Sequence, residues 1–573
     1  MAVENLITQH IDIWTSAVKT RSTSGRGSSK KLELYGIKKL RKLILELAVH
    51  GKLVPQDPND EPADILVQRI MAKKKELLAD GTLKKTKKSK VHDAIISAEE
   101  LPLGWVAADF GDITFNLDAQ RIPLSVSERK GRQGIYDYYG ASGVIDSIDG
   151  YLFDKPLLLI GEDGANLVNR STPIAFMARG KYWVNNHAHV IDGISEDFLI
   201  YLSLYINSIS LIPYITGMAQ PKMNQAKMNS ILVLLPPEKE QHRIVAKVDE
   251  LMALCDQLEQ QTEASIKAHQ VLVTTLLDTL TNSADADELM QNWARISEHF
   301  DTLFTTEESI DQLKQTILQL AVMGKLVPQD PSDEPAAELL KRIAEEKAQL
   351  VKEKKIKKQK ALPPIAEDEK PFELPSGWEW CKFGELSQFI NGDRGKNYPN
   401  KNEYVSDGIP WINTGHIQPD GTLTTSDMNF ITEEKFDSLR SGKIIPDDLV
   451  YCLRGATFGK TAFVKPYVHG AIASSLMIIR LFDNKMNGFV YRYLTSAFGR
   501  SQIFRFDNGS AQPNLSANSV GLYAFPCPPL EEQKRIVAKI NELFEVCEQL
   551  QARIADAKSI LLDLTDAIVE QAM

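Results

Sequence analysis

The chain carries one scaffold twice. LAVHGKLVPQDPNDEPA, Leu47 to Ala63, returns as LAVMGKLVPQDPSDEPA, Leu320 to Ala336, with fifteen of seventeen residues identical at an offset of 273. The offset persists in LPLGW from Leu101 and LPSGW from Leu374, and Ile37, Leu40, Ile44 and Leu45 are matched by Ile310, Leu313, Ile317 and Leu318. A second block, PPEKEQHRIVAKVDELMALCDQL from Pro236, is answered by PPLEEQKRIVAKINELFEVCEQL from Pro528 at an offset of 292, so the stretch between blocks is 19 residues longer in the second copy (292 minus 273). Two preserved frames around two diverged inserts describe a protein that makes the same kind of contact twice, to two different surfaces.

The frames read as helix. Glu238 to Met323 contains no Gly or Pro. Within it Ile244, Val248, Leu251, Cys255 and Leu258 alternate by four and three, the seam of a coiled coil. The C-terminal copy holds that spacing through Ile536, Ile540, Leu543, Cys547, Leu550, Ile554, Ala557, Leu561, Leu564 and Ile568. Such a stripe needs a partner, and the equivalent helix of the other copy, running antiparallel, is the nearest one. Helices over Lys31–His50 and Glu307–Met323 precede the inserts, each followed by a glycine, Gly51 or Gly324, suited to a left-handed C-cap. Pro55, Pro58 and Pro62, with Pro328, Pro331 and Pro335, bar helix across the next stretch, which reads as a structural connector with a docking role open to it. Lysine-rich helices from Lys73 and Lys352 follow, either tracking phosphates or acting as solvated linkers, and Arg21 to Lys30 has the composition of a flexible tether.

The inserts have another texture. PLLLIGEDG from Pro156 and LVYCLRG from Leu449 are short apolar runs bounded by Gly, Asp and Asn, as strands are, and each insert reads as one α/β domain closing on GMAQP from Gly217 or GSAQP from Gly509. The expected architecture is α+β: two α/β domains separated by a long antiparallel coiled-coil scaffold in a tandem pseudo-twofold repeat. Its segments are 1–100 (helical, with flexible and Lys-rich linkers), 101–235 (first insert), 236–373 (central helical region), 374–528 (second insert) and 529–573 (C-terminal helix).

Bulk composition excludes several classes. No basic n-region with an apolar run opens the chain and no apolar stretch approaches 18 residues, so a cytoplasmic chain with no membrane contact is expected. Five cysteines form no CxxC; Cys255 and Cys547 fall in the apolar stripe and are expected to pack in it. The net charge of −10 argues against nonspecific coating of nucleic acid, and the inserts carry 10 Lys+Arg against 13 Asp+Glu, and 15 against 14. If they bind DNA, local clusters or a partner must neutralise phosphates.

Catalytic motifs are wanting. GATFGKT from Gly455 has three residues, not four, between its first Gly and the Gly-Lys pair, one short of a phosphate-cradling P-loop. No glycine-rich loop for a methyl donor and no matched nuclease carboxylate set is legible. Asn186, His187 and His189 put two His on one strand face, but no companion ligands support a metal, and a polar recognition or structural loop is the better reading. In the second insert Arg394, Lys396 and Asn397, then Asn413, Thr414 and His416, cluster residue types that bond base edges or phosphates.

GIPWINTGHI, PDDLVYCLRG and GSAQPNLS, with YYGASGVID, FDKPLLLIGEDGA, NNHAHVI and GMAQP, and each insert followed by a PPxxEQxxI entry to a long helix, resemble the specificity subunit of type I restriction-modification systems over nearly the whole chain. The resemblance implies a non-catalytic subunit with two target-recognition domains. It would bring two methyltransferase subunits and ATP-dependent restriction (translocase) subunits to an asymmetric two-part site on double-stranded DNA. S-adenosylmethionine, ATP and Mg would belong to those partners, with no cofactor in this chain. It places recognition in insert loops, where the candidate DNA contacts are Arg129, Lys130, Arg132, Asn186, His187 and His189, then Arg394, Lys396, Asn397, Asn413, His416, Arg454 and Lys460. Gln220 and Gln512, being equivalent, are expected to share a structural role. The helices would act as a ruler fixing the unread spacer. The rival class is a coiled-coil protein-protein adaptor with two ligand-binding heads and no DNA role.

Overall fold

The computed structural model describes residues 3–22, 30–87, 101–217, 220–455, 457–506 and 515–573. The tether at 23–29, residues 88–100 from the end of the first lysine-rich run, Met218 and Ala219 of GMAQP, and GSAQP with Gln512 lie outside the described residues. The chain forms two compact units, residues 1–265 with 557–573, and residues 266–556.

In the first unit the helix Tyr35–Val49 buries Ile37, Leu40, Leu43, Ile44 and Leu47. Its core is shared by Ile244, Val248, Leu251, Cys255 and Leu258 from the start of the long helix Glu238–Asn282 and by Ile568 from the end of the long helix Leu530–Ala572. The second unit repeats the plan. The helix Glu307–Val322 packs in a core with Val273, Leu277 and Leu280 from the end of the first long helix and Ile536, Ile540 and Cys547 from the start of the second. Each unit thus takes the beginning of one long helix and the end of the other. Both expected cysteines are buried.

Several expectations are corrected. Within the run 238–323 the separate helix expected from Glu307 does begin there, Thr306 accepting from the Ser309 N–H, but a further helix, Ala286–Glu298, precedes it, capped by Asp285 accepting from the Glu288 N–H. The four-three stripe does not hold to the end of the second long helix: Ala557 is exposed and Leu564 is 43% exposed, while Thr565 is buried beside Ile568 in sequence register. An α-helix drifts by about 20° per heptad against a strict seven-residue repeat, which moves the buried stripe onto neighbouring positions. Lys30–Glu33 is a strand paired with Lys19–Ser22, not the first turn of a helix. The helix Ala336–Lys352 ends where the second lysine run begins.

The repeated motifs meet at one place in each unit. Gly51, at φ +68°, ends the Tyr35–Val49 helix, and the Lys52 N–H returns to the Leu47 carbonyl at 2.9 Å. Gln56 donates to the Gly51 carbonyl at 2.7 Å and to the buried Glu240 carboxylate at 3.1 Å, whose other oxygen accepts from Trp105 Nε1 at 3.1 Å. Arg243 pairs with buried Asp60 at 2.6 Å. The second unit gives 2.7 Å for Gln329 to Gly324, 3.2 Å for Gln329 to Glu532, 3.0 Å for Trp378 to Glu532 and 2.6 Å for Arg535 to Asp333. The Gly104 and Gly377 carbonyls accept from the Ala63 and Ala336 N–H groups at the starts of the next helices, at 2.9 and 2.8 Å. VPQDP, LPxGW and EQxxI are therefore one lock, assembled from three distant stretches, and the GKLVPQDP stretch is a structural connector.

Each insert is rooted on a two-strand antiparallel pair, Val106–Asp109 with Leu232–Leu235 and Glu379–Lys382 with Ala524–Cys527. Above the root the first insert has two four-stranded sheets. In spatial order they are Phe115–Asn116, Ala188–Asp192, Leu157–Gly161, Ala175–Ala178, and Gly143–Ile148, Gln133–Gly140, Lys181–Val184, Phe153–Asp154. The second insert has Ser387–Asn391, Leu476–Leu481, Leu449–Cys452, Thr461–Phe463, and Asn429–Ile431, Ile409–Ile412, Gly470–Ile472, Lys443–Ile444. Strand for strand the order in sequence and space is the same, including one parallel pair in the second sheet of each. The apolar runs Leu157–Gly161 and Leu449–Cys452 are fully buried central strands, consistent with their lack of alternation.

Candidate nucleic-acid interface

Both inserts put Asn-x-Asp at the end of the first strand, and in both the aspartate organises the loops around it. In the first insert Asp118 accepts from His189 Nδ1 at 2.6 Å, the Val190 N–H at 2.8 Å and Asn116 Nδ2 at 3.1 Å. Arg121 bonds Glu162 at 3.0 Å and the Ala188 carbonyl at 2.7 Å. His189 is 1% exposed, and its Nε2 lies 2.9 Å from the Met223 carbonyl. Facing a carboxylate on one side and a carbonyl on the other, both ring nitrogens donate, so the ring is a cation. Burial opposes that charge, but Asp118, Glu162 and the Met223 carbonyl outweigh it and raise the His189 pKa. Burial likewise opposes the charged Asp118; His189 and Arg121 prevail and hold its carboxyl below the usual range.

His189 is thus a buried strut, and its assignment as a DNA contact is corrected: neither nitrogen is left for a ligand. His187, half exposed, bonds Asp163 at 2.8 Å, so the two histidines serve different carboxylates and build no joint metal site. Asn186 is exposed beside it. Arg129 bonds Asp146 at 2.9 Å and lies 4.9 Å over the Tyr138 ring; Arg132 bonds Asp149 at 2.8 Å and lies 4.9 Å over Trp183. Each guanidinium is held by a carboxylate and an aromatic face, which fixes its fork before any ligand arrives. Lys130 between them is exposed. These cations sit against the hairpin sheet, whereas Asn186 and His187 sit in the turn that passes the chain from one sheet to the other.

In the second insert Asp393 accepts from the Gly395 N–H at 2.6 Å and the Arg440 N–H at 2.7 Å. Asn397 Nδ2 donates to the Ser438 carbonyl at 2.7 Å, so that amide is a tie, not a free reader. Arg394 and Lys396 are exposed. Asn413 caps a short turn by accepting from the Gly415 N–H at 2.8 Å, and its own N–H donates to His416 Nδ1 at 3.1 Å. His416 is 5% exposed and burial lowers its pKa. Its assignment as a DNA contact is corrected too: this neutral ring closes the turn from inside. Arg454 and Lys460 are half-buried in the turn between Leu449–Cys452 and Thr461–Phe463; the Arg454 Nε is buried without a hydrogen-bond partner. Gly455 and Thr457 to Lys460 of the short-looped GATFGKT string lie in this hairpin turn. Sequence reasoning missed Asp118, Asp393, Arg121 and Arg440; the recurrent Asn-x-Asp was a visible signal for the first two.

The family model of the type I restriction modification DNA specificity domain matches residues 102–268 and 375–557, one copy per insert with its following helix. The chain belongs to the type I restriction-modification specificity subunit family. It is 41% identical to the type I restriction enzyme EcoAI specificity subunit of Escherichia coli over 100% of both chains, and 41% identical to the EcoEI specificity subunit of the same species over 100% of both. A solved structure titled as the HsdS subunit from Thermoanaerobacter tengcongensis is 15% identical, with 82% of this chain and 97% of that chain covered and a TM-score of 0.37. Among the described residues, no helix is long and apolar enough to cross a membrane.

Proposed function

We propose that this specificity subunit reads a two-part site on double-stranded DNA, one half with each insert, and performs no chemistry itself. The observation that carries the reading is the identical strand order of two inserts whose presented side chains differ: carboxylate-held Arg129 and Arg132 in one, the hairpin turn of Arg454 and Lys460 in the other. One fold with two different surfaces reads two different base sequences. Two methyltransferase subunits dock on the repeated frames, and restriction subunits join them for cleavage. S-adenosylmethionine, ATP and Mg belong to those partners. The match of both inserts to a DNA specificity domain favours this reading over the adaptor.

The test is a map of adenine methylation in a host expressing the chain with its methyltransferase partner. One bipartite motif that vanishes with the chain is expected; an unchanged map, with assembly verified, refutes the reading. Exchanging residues 101–235 for another family insert should alter one half of the motif only, and adding a helical turn of about 5.4 Å to each long helix should widen the unread spacer.

A further inference from the structure

The loop after the first strand of the second insert is zipped to a segment 50 residues away. Ser441 Oγ donates to the Asn391 carbonyl at 2.6 Å, Asp393 receives the Arg440 N–H at 2.7 Å, and Asn397 donates to the Ser438 carbonyl at 2.7 Å. Between these ties Gly392 and Gly442 cross so closely that a Cβ on Gly442, itself at φ +82°, would stand 2.8 Å from the Gly392 Cα. The crossing sets Arg394, Lys396 and Arg440 on one exposed ledge, all three side chains exposed. Among the described residues none of them forms a salt bridge, although Arg129 and Arg132 of the first insert each do. Asp393, the carboxylate at the crossing, is 5% exposed and bonds backbone N–H groups.

We propose that this ledge is a sequence-blind phosphate clamp gripping the DNA backbone beside the second half-site. The inference rests on the function proposed above and divides the labour within it. An arginine whose fork is oriented by a carboxylate suits a base edge, which demands geometry. Unpaired cations on a pre-formed ledge suit phosphate, which demands charge. Asn397 beside the ledge has its Nδ2 engaged by the Ser438 carbonyl, which takes away the donor half of the bidentate pair that reads an adenine.

The test uses the full chain assembled with its methyltransferase partners and a duplex bearing its mapped site, with affinity measured across a salt series. Each phosphate contact contributes roughly 0.9 to the slope of log K against log salt, so the triple variant R394Q/K396Q/R440Q should flatten that slope by about 2 to 3 and leave the methylated motif unchanged. K401Q, an exposed cation off the ledge, should leave the slope as it is. An unchanged slope in the triple variant, or a motif relaxed in its second half, overturns the clamp. A wild-type complex with no bipartite motif strikes the function proposed above and the clamp with it; the clamp fails alone only when the motif stands.

Discussion

Replacing Glu240 by Gln tests the lock at the root of the first insert. One oxygen of this buried carboxylate accepts from Gln56 at 3.1 Å and the other from Trp105 at 3.1 Å. An amide offers one acceptor and turns an N–H₂ group towards the second donor, leaving a buried N–H unmade at a cost of about 1 to 3 kcal/mol. Against this, burial holds the Glu240 pKa above its usual value, so the wild type carries a penalty that the amide lacks. The sign follows: a raised carboxyl pKa contributes stability that is complete below the unfolded value, near 4.5, and lost as pH rises through the folded value. The net loss expected for Glu240→Gln is therefore about 1 to 2 kcal/mol near pH 4.5, shrinking towards neutrality. Urea unfolding monitored by tryptophan fluorescence at several pH values measures it. Glu532→Gln should match it within about 0.5 kcal/mol, since its bonds of 3.2 and 3.0 Å reproduce the first lock and its pKa is raised by the same cause. A loss that grows with pH, or a variant stable at every pH, refutes the reasoning.

Other outcomes can be measured on the same footing. Arg243→Ala strands Asp60, whose side chain is 3% exposed, but Arg243 itself is 35% exposed and screened, so about 1 to 2 kcal/mol of stability should be lost in denaturant melts. Gly51→Ala places a Cβ 2.6 Å from Pro102 Cγ at a φ of +68° and should cost about 2 kcal/mol by thermal denaturation, as should Gly324→Ala. His189→Leu removes the cation beside buried Asp118 and should cost about 3 to 5 kcal/mol. Because the His189 pKa is raised, its contribution is complete below about 6.5 and lost as pH rises through the folded value, so wild-type melting should fall on the alkaline side while that of His189→Leu loses this dependence.

The repeat made the plan legible: two frames, two inserts, and the strands at Leu157–Gly161 and Leu449–Cys452 follow from spacing and composition alone. The helix break at Asp285 was hidden because a polar cap interrupts a helical run without Gly or Pro. The site was less legible. Of the exposed candidates, Asn186, Arg394 and Lys396 lie on loops and Lys130 ends the short helix Val126–Lys130, whereas His189 and His416 are interior struts. A histidine's role depends on which acceptors the tertiary fold brings to its ring, and Asp118 and Met223 lie 71 and 34 residues from His189. Arg440 was missed because its place on the ledge exists only after two segments zip together.

The paired strands at the root of each insert bring its two ends side by side, with Leu232 opposite Asp109 and Cys527 opposite Glu379. To the scaffold, an insert of any length is a closed loop entering and leaving through one doorway. Drift, enlargement or wholesale replacement beyond that doorway leaves the lock of Gln56, Trp105 and Glu240 unstrained. The 19 residues by which the second copy is longer between its repeated blocks show that freedom in use: selection can rewrite what the molecule recognises while the parts that hold it together stand still.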